Sequence, residues 1–132
     1  MRAVVYRGAN ALRLEIIPVP QIKSGELLIK VAVCGVCPTD IKKIQSGLLP
    51  PPRIFGHETA GTIVKIGARV KNFRLGDRVA LHHHVPCLRC HFCCHRAFAQ
   101  CETYQRTGIT AGFEPAGGGY AEYVRVMRFV LP

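Results

Sequence analysis

Alternation is the first regularity along the chain. Between positions 26 and 34, Leu27, Ile29, Val31 and Val33 fall on one face at a period of two, with Leu28, Lys30, Ala32 and Cys34 on the other. That is the pattern of a half-buried strand. Residues 2–6 and 11–17 read as a strand pair around a Gly8-Ala9-Asn10 turn. Residues 59–66, 78–84 and 120–127 are expected to be further strands, separated by Gly67, Gly76 and the run Gly117-Gly118-Gly119. One short helix is expected over residues 39–45, with Thr39 or Asp40 near its N-cap and Gly47 at its end. Pro18, Pro20 and Ser24-Gly25 break the chain early, and Leu49-Pro50-Pro51-Pro52 reads as a rigid extended loop. Many short strands, glycine turns and almost no helix predict a mainly β fold, a small, irregular, partly open barrel.

Size and composition narrow this picture. With 132 residues, 48% of them apolar and 20% charged, the chain fits a single domain that buries its own core. No apolar run approaches the roughly 18 residues that would span a bilayer, and MRAVVYRG lacks the apolar core of a secretory leader. A cytoplasmic protein without a membrane partner is expected. The chain stops at RFVLP, inside an apolar stretch, which suggests a domain cut from a longer protein.

Charge tempts towards nucleic acid, because 18 Lys and Arg face 8 Asp and Glu, a formal net charge of +10. Yet the basic residues are scattered and form no block of five or more. No nucleic-acid partner is therefore expected. Four cysteines ionising on one divalent ion would also change the total by −4 + 2 = −2, to about +8.

The cysteines carry the chemistry. There are seven, an odd number, and five lie in the fifteen residues CLRCHFCCHRAFAQC. Cys87, Cys90, Cys93 and Cys101 form C-x2-C-x2-C-x7-C. A C-x2-C step wraps one turn of chain around an ion, and tetrahedral zinc needs its thiolates to converge at about 2.3 Å. Four sulfurs leave no open position, so such a site is structural. Cys94 directly follows Cys93 and is the odd one out, while His91 and His95 read as solvated loop residues. His82, His83 and His84 alternate across a strand end, so one ion could not easily take all three. Cys34 closes a strand and is expected to pack as a small apolar residue.

Upstream lie CGVCPTD, GHETAGTIVKIGARV and GDRV. Together with the four-cysteine segment, in this order and spacing, they resemble the zinc signature of the medium-chain alcohol dehydrogenases. The likeness is to the N-terminal GroES-like catalytic domain and runs from Met1 to about Val126. CGVC, HHHVPC and GGGYAEYV lean towards the sorbitol and threonine dehydrogenase branch. The resemblance implies a GroES-like domain over residues 1–132 with a zinc lobe at about 84–104. It implies a catalytic zinc held by Cys37, His57 and Glu58, with Glu58 able to approach or replace a ligand. It further implies that Thr39 hydrogen-bonds the substrate oxygen and that Asp40 orients His57. The chemistry is coherent: a catalytic zinc needs three protein ligands and one open position, and it lowers the pKa of an alcohol bound there.

Lys42 stands where many members carry a relay histidine, and it could still meet the cofactor ribose. Pro38, beside Cys37, has no backbone N–H to offer. No G-x-G-x-x-G appears, and the Gly117-Gly118-Gly119 run opens no helix. The nicotinamide-binding Rossmann domain, the remaining catalytic ligand and NAD or NADP itself are expected to belong to chain beyond Pro132. The expected function is zinc-assisted hydride transfer from a small alcohol or polyol, inactive in this chain alone and homo-oligomeric in the full-length protein. The competing reading is a non-catalytic, zinc-stabilised binding module.

Overall fold

The computed structural model describes residues 1–82, 86–102, 109–113 and 117–127. Strands β1 (Arg2–Gly8) and β2 (Ala11–Ile16) pair antiparallel as a hairpin, turned by Asn10 at a positive φ of 55°. The main sheet has five strands in the order β5-β4-β3-β7-β6: β3 is Leu27–Gly35, β4 Glu58–Ile66, β5 Arg78–Leu81, β6 Ile109–Thr110 and β7 Tyr123–Val126. All its neighbours run antiparallel. Isolated bridges from Ala3 to Ala121 and from Tyr6 to Arg53 tie the hairpin to the rest. The expected mainly β architecture is the one observed.

Two cores follow from the strand faces. One gathers Leu27, Ile29, Ile63, Val124 and Val126; the other joins Ala3 and Val5 of β1 to Ile54, Ala111 and Ala121. Alternation placed Leu27 and Ile29 correctly, at 2% and 0% exposure, but not Val33, which is 62% exposed. The reason is a bulge. Val31 pairs with Gly61 and Val33 with Ala60, so Ala32 is an extra residue on β3. An inserted residue reverses the phase of everything after it. Val33 turns outward, and Cys34 comes to oppose the buried Thr59.

The expected helix is α1, Pro38–Ser46, with Gly47 in the left-handed region at its C-terminal end. Its N-cap differs from expectation: the residue is Cys37, without a side-chain capping bond. Pro38 at the first helical position suits a site whose N–H would be unsatisfied anyway. Thr39 and Asp40 are thus inside the helix, with their side chains used elsewhere. A second short helix, α2 (His91–Cys94), and a 3-10 turn, Phe98–Gln100, were not foreseen. β5 ends at Leu81, short of the expected 84, and β7 starts at Tyr123 rather than 120. His83, His84, residues 103–104 of the expected lobe and the terminal RFVLP lie outside the described residues.

The apolar side chains of β2 face outward, with Leu12, Leu14 and Ile16 at 45%, 72% and 79% exposure. Beside them runs an apolar groove of about 660 Å³ whose lining includes Leu14, Val36, Ile41, Asp40 and Tyr120. Among the described residues, no helix is long and apolar enough to cross a membrane.

The packing makes a direct prediction. Ile29→Ala, at the centre of the sheet, should lower unfolding stability by about 2–5 kcal/mol. Lys30→Ala, at an exposed position of the same strand, should stay within about 0.5 kcal/mol. Urea unfolding of both variants checks this, and equal losses would contradict the assigned faces.

Candidate metal centres

Two groups of metal-capable side chains form among the described residues. In the first, the sulfurs of Cys87, Cys90, Cys93 and Cys101 all lie within 4.8 Å of one another. The local backbone explains the convergence. Cys90 is the N-cap of α2, and the N–H groups of Cys94 and Arg96 return to the carbonyls of Cys90 and Cys93. The Cys90 N–H points at Cys87 Sγ (3.4 Å) and the Cys87 N–H at Cys101 Sγ (3.3 Å). Such N–H···S contacts stabilise thiolate.

The thiols are unequal. The Arg89 N–H, first among several contacts, holds Cys87 below the usual thiol range. Burial and its sulfur neighbours push Cys93 up to about 12. Four thiolates this close repel unless a cation sits among them. Tetrahedral bonds of about 2.3 Å separate sulfurs by about 3.8 Å, a spacing that falls within the 4.8 Å limit of this cluster. Cys94 is exposed and outside the cluster. His91 and His95 are exposed too, their rings 4.4 Å apart, with His95 Nδ1 against the His91 carbonyl at 2.8 Å.

The second group is Cys37, His57 and Glu58, whose ligand atoms also lie within 4.8 Å of one another. Here the sheet does the gathering. β3 ends two residues before Cys37, and β4 begins at Glu58, directly after His57. Gly35 pairs with Glu58 across the two strands. A Cβ at position 35 would run into Glu58 Oε2 and come within 3.2 Å of its Cβ, so glycine there leaves the carboxylate its place.

Behind His57 lies Asp40, 2% exposed, with both carboxylate oxygens 3.3 Å from His57 Nδ1. Asp40 sits in the first turn of α1, where the helix dipole favours a negative charge. The Thr39 hydroxyl donates to Cys37 Sγ at 3.1 Å. Lys42 is exposed on α1. Cys34 is half-buried and no plain apolar filler: Thr59 Oγ1 donates to its sulfur at 3.2 Å. Burial nevertheless dominates and holds its thiol above the usual range.

One participant was missed in the sequence. The Tyr120 hydroxyl lies 3.1 Å from Asp40 Oδ2. Its position just behind the glycine run was the only local signal, and a partner 80 residues upstream leaves no trace in spacing.

Comparison with known proteins gives the family. The family model for the alcohol dehydrogenase GroES-like domain matches residues 23–132. A sorbitol dehydrogenase of Bombyx mori is 44% identical over 96 residues, covering 69% of this chain and 28% of that protein. An NAD-dependent alcohol dehydrogenase of Sulfolobus acidocaldarius is 32% identical over 131 residues, 93% of this chain and 37% of that one. The crystal structure of galactitol-1-phosphate dehydrogenase from Escherichia coli superimposes with a TM-score of 0.83 at 32% identity, covering 97% of this chain and 36% of that chain. The chain therefore spans about a third of the length of these relatives. With its zinc-type dehydrogenase relatives and its mainly β architecture, the chain belongs to the alcohol dehydrogenase GroES-like domain family.

Proposed function

We propose that the chain is the catalytic domain of a zinc-dependent alcohol or polyol dehydrogenase, completed by a nicotinamide-binding Rossmann domain elsewhere in the protein. The observation that carries this reading is the convergence of Cys37, His57 and Glu58, with Asp40 behind the histidine. A structural module or a nucleic-acid binder has no use for such a three-ligand site beside a closed four-sulfur one.

In this reading Cys37 supplies a thiolate, His57 its Nε2 and Glu58 a carboxylate. When bound, the ion supplies Lewis-acid polarisation of an alcohol oxygen, which eases transfer of hydride to NAD or NADP. Asp40 accepts the Nδ1 proton of His57 and fixes the tautomer that offers Nε2. Thr39 keeps its hydroxyl beside Cys37, where it can hydrogen-bond the alcohol oxygen and pass its proton on by releasing its own to water as it accepts the alcohol's. Lys42, exposed two residues beyond Asp40, would meet the cofactor ribose. Cys87, Cys90, Cys93 and Cys101 hold a second, structural zinc that shapes the lobe.

The apolar groove and the outward face of β2 are the kind of surface a further part of the protein would cover, excluding water from the site. The substrate class, a small alcohol or polyol, rests on the relatives' names for sorbitol and galactitol phosphate. A cytoplasmic homo-oligomer completes the proposal.

Zinc content tests the structural centre. In protein expressed with ample zinc, Cys94→Ser should keep the metal, and Cys93→Ser should lose about one equivalent. Elemental analysis decides it, and loss of zinc in Cys94→Ser would overturn the ligand set. Activity tests the catalytic centre. In the full-length protein, Cys37→Ser should cut alcohol oxidation by about a thousandfold or more while the lobe keeps its zinc. Residues 1–132 alone should show no turnover and only weak zinc binding at Cys37. Near-normal turnover in Cys37→Ser would end the dehydrogenase reading.

A further inference from the structure

The second metal centre has a third layer. The Tyr120 hydroxyl lies 3.1 Å from Asp40 Oδ2 and 3.3 Å from the carbonyl oxygen of Gly35. Asp40 in turn lies 3.3 Å from His57 Nδ1. Tyrosine, aspartate and histidine thus form one continuous hydrogen-bonded chain, contributed by the segment before β7, the first turn of α1 and the entry to β4. We propose that Tyr120 is a positioning residue for the Cys37–His57–Glu58 centre: its O–H holds the Asp40 carboxylate in the orientation that accepts the Nδ1 proton of His57, and so presents Nε2 to the metal. This rests on the reading of that cluster as the catalytic metal site.

The physical case has three parts. First, Asp40 is almost fully buried, so its carboxylate draws its hydrogen bonds chiefly from protein donors, and losing one is costly. Among the described residues, His57 supplies one donor and Tyr120 another. Second, the carboxyl torsion of aspartate is broad and poorly defined by itself. One donor on Oδ2 pins it, and with it the line of the His57 bond. Third, Tyr120 is well placed to act as a fixed post. Its N–H donates to the Phe55 carbonyl at 3.0 Å, and its own carbonyl accepts the Val4 N–H at 2.8 Å.

Gly56, the residue before His57, takes a φ of +93°, and a Cβ there would lie 2.8 Å from the Tyr120 ring. Ring and histidine segment are therefore fitted to each other directly, as well as through Asp40. Burial first, and then the charge of Asp40, hold the Tyr120 phenol well above its ordinary pKa, so it remains a donor at neutral pH.

The test is Tyr120→Phe in the full-length protein with the four-cysteine site loaded, a change that keeps the ring and removes only the hydroxyl. Nitrogen-edited NMR of the His57 imidazole, with the second site kept metal-free by a chelator, reads the tautomer directly. Wild type should hold the proton on Nδ1, and the variant should shift population towards Nε2–H. Zinc affinity at the second site, measured by chelator competition, should fall about tenfold, the lower edge for partners one shell out from a metal. The four-cysteine site should be unchanged. Asp40→Asn should weaken zinc at least as much, and adding Tyr120→Phe to it should cost nothing further, because the two act through one path.

An unchanged tautomer and affinity in Tyr120→Phe would overturn the proposal, even if the melting temperature fell, since that would be a structural effect alone. So would Nε2–H as the wild-type tautomer. If wild type binds no metal at the second site, the dehydrogenase reading fails, and the tautomer comparison still decides the role of Tyr120.

Discussion

The antiparallel pairing of β3 with β4 is the constraint on which the rest depends. It sets Gly35 opposite Glu58 and Cys34 opposite Thr59, and so brings the chain at Cys37 alongside the chain at His57, twenty residues later. No local preference could do this. The extra residue at Ala32 sets the phase of β3 against β4, because without it Cys34 would turn to the opposite face of the sheet and lose its place beside Thr59. The bulge is therefore part of how the site is built.

The two clusters rest on different physics. The four-sulfur lobe is a local construction. Fifteen residues, one four-residue helix and a few N–H···S contacts bring the thiols together, and the sheet plays little part. The Cys37–His57–Glu58 cluster is a tertiary one, assembled from two strand ends and a helix start. Damage to the sheet core should reach the second cluster first. The first should respond chiefly to loss of its own thiols or its ion.

This difference also governs what could be read beforehand. The spacing of Cys87, Cys90, Cys93 and Cys101 is local, so the group and the exclusion of Cys94 were legible in the sequence. Leu27 and Ile29 were legible too as apolar positions on one face, although Leu28 between them is buried as well. Val33 was misread because a period of two cannot reveal an inserted residue. The helix cap was misread because the side chains of Thr39 and Asp40 are drawn to Cys37 and His57 and do not cap the helix. The grouping of Cys37 with His57 was reached through resemblance, since the distance between them in sequence carries no geometric information. Tyr120 stayed hidden for the same reason, with no motif to supply it.

The central claim is that the strand register makes a metal site separate from the cysteine lobe. Anomalous diffraction at the zinc edge, from crystals of the zinc-loaded full-length protein, locates each ion directly. The account predicts two peaks. One lies amid the sulfurs of Cys87, Cys90, Cys93 and Cys101, and the other at bonding distance, about 2.0–2.3 Å, from Cys37 Sγ and His57 Nε2. A single peak in the lobe, or a second one held by other residues such as His91 and His95, would contradict it.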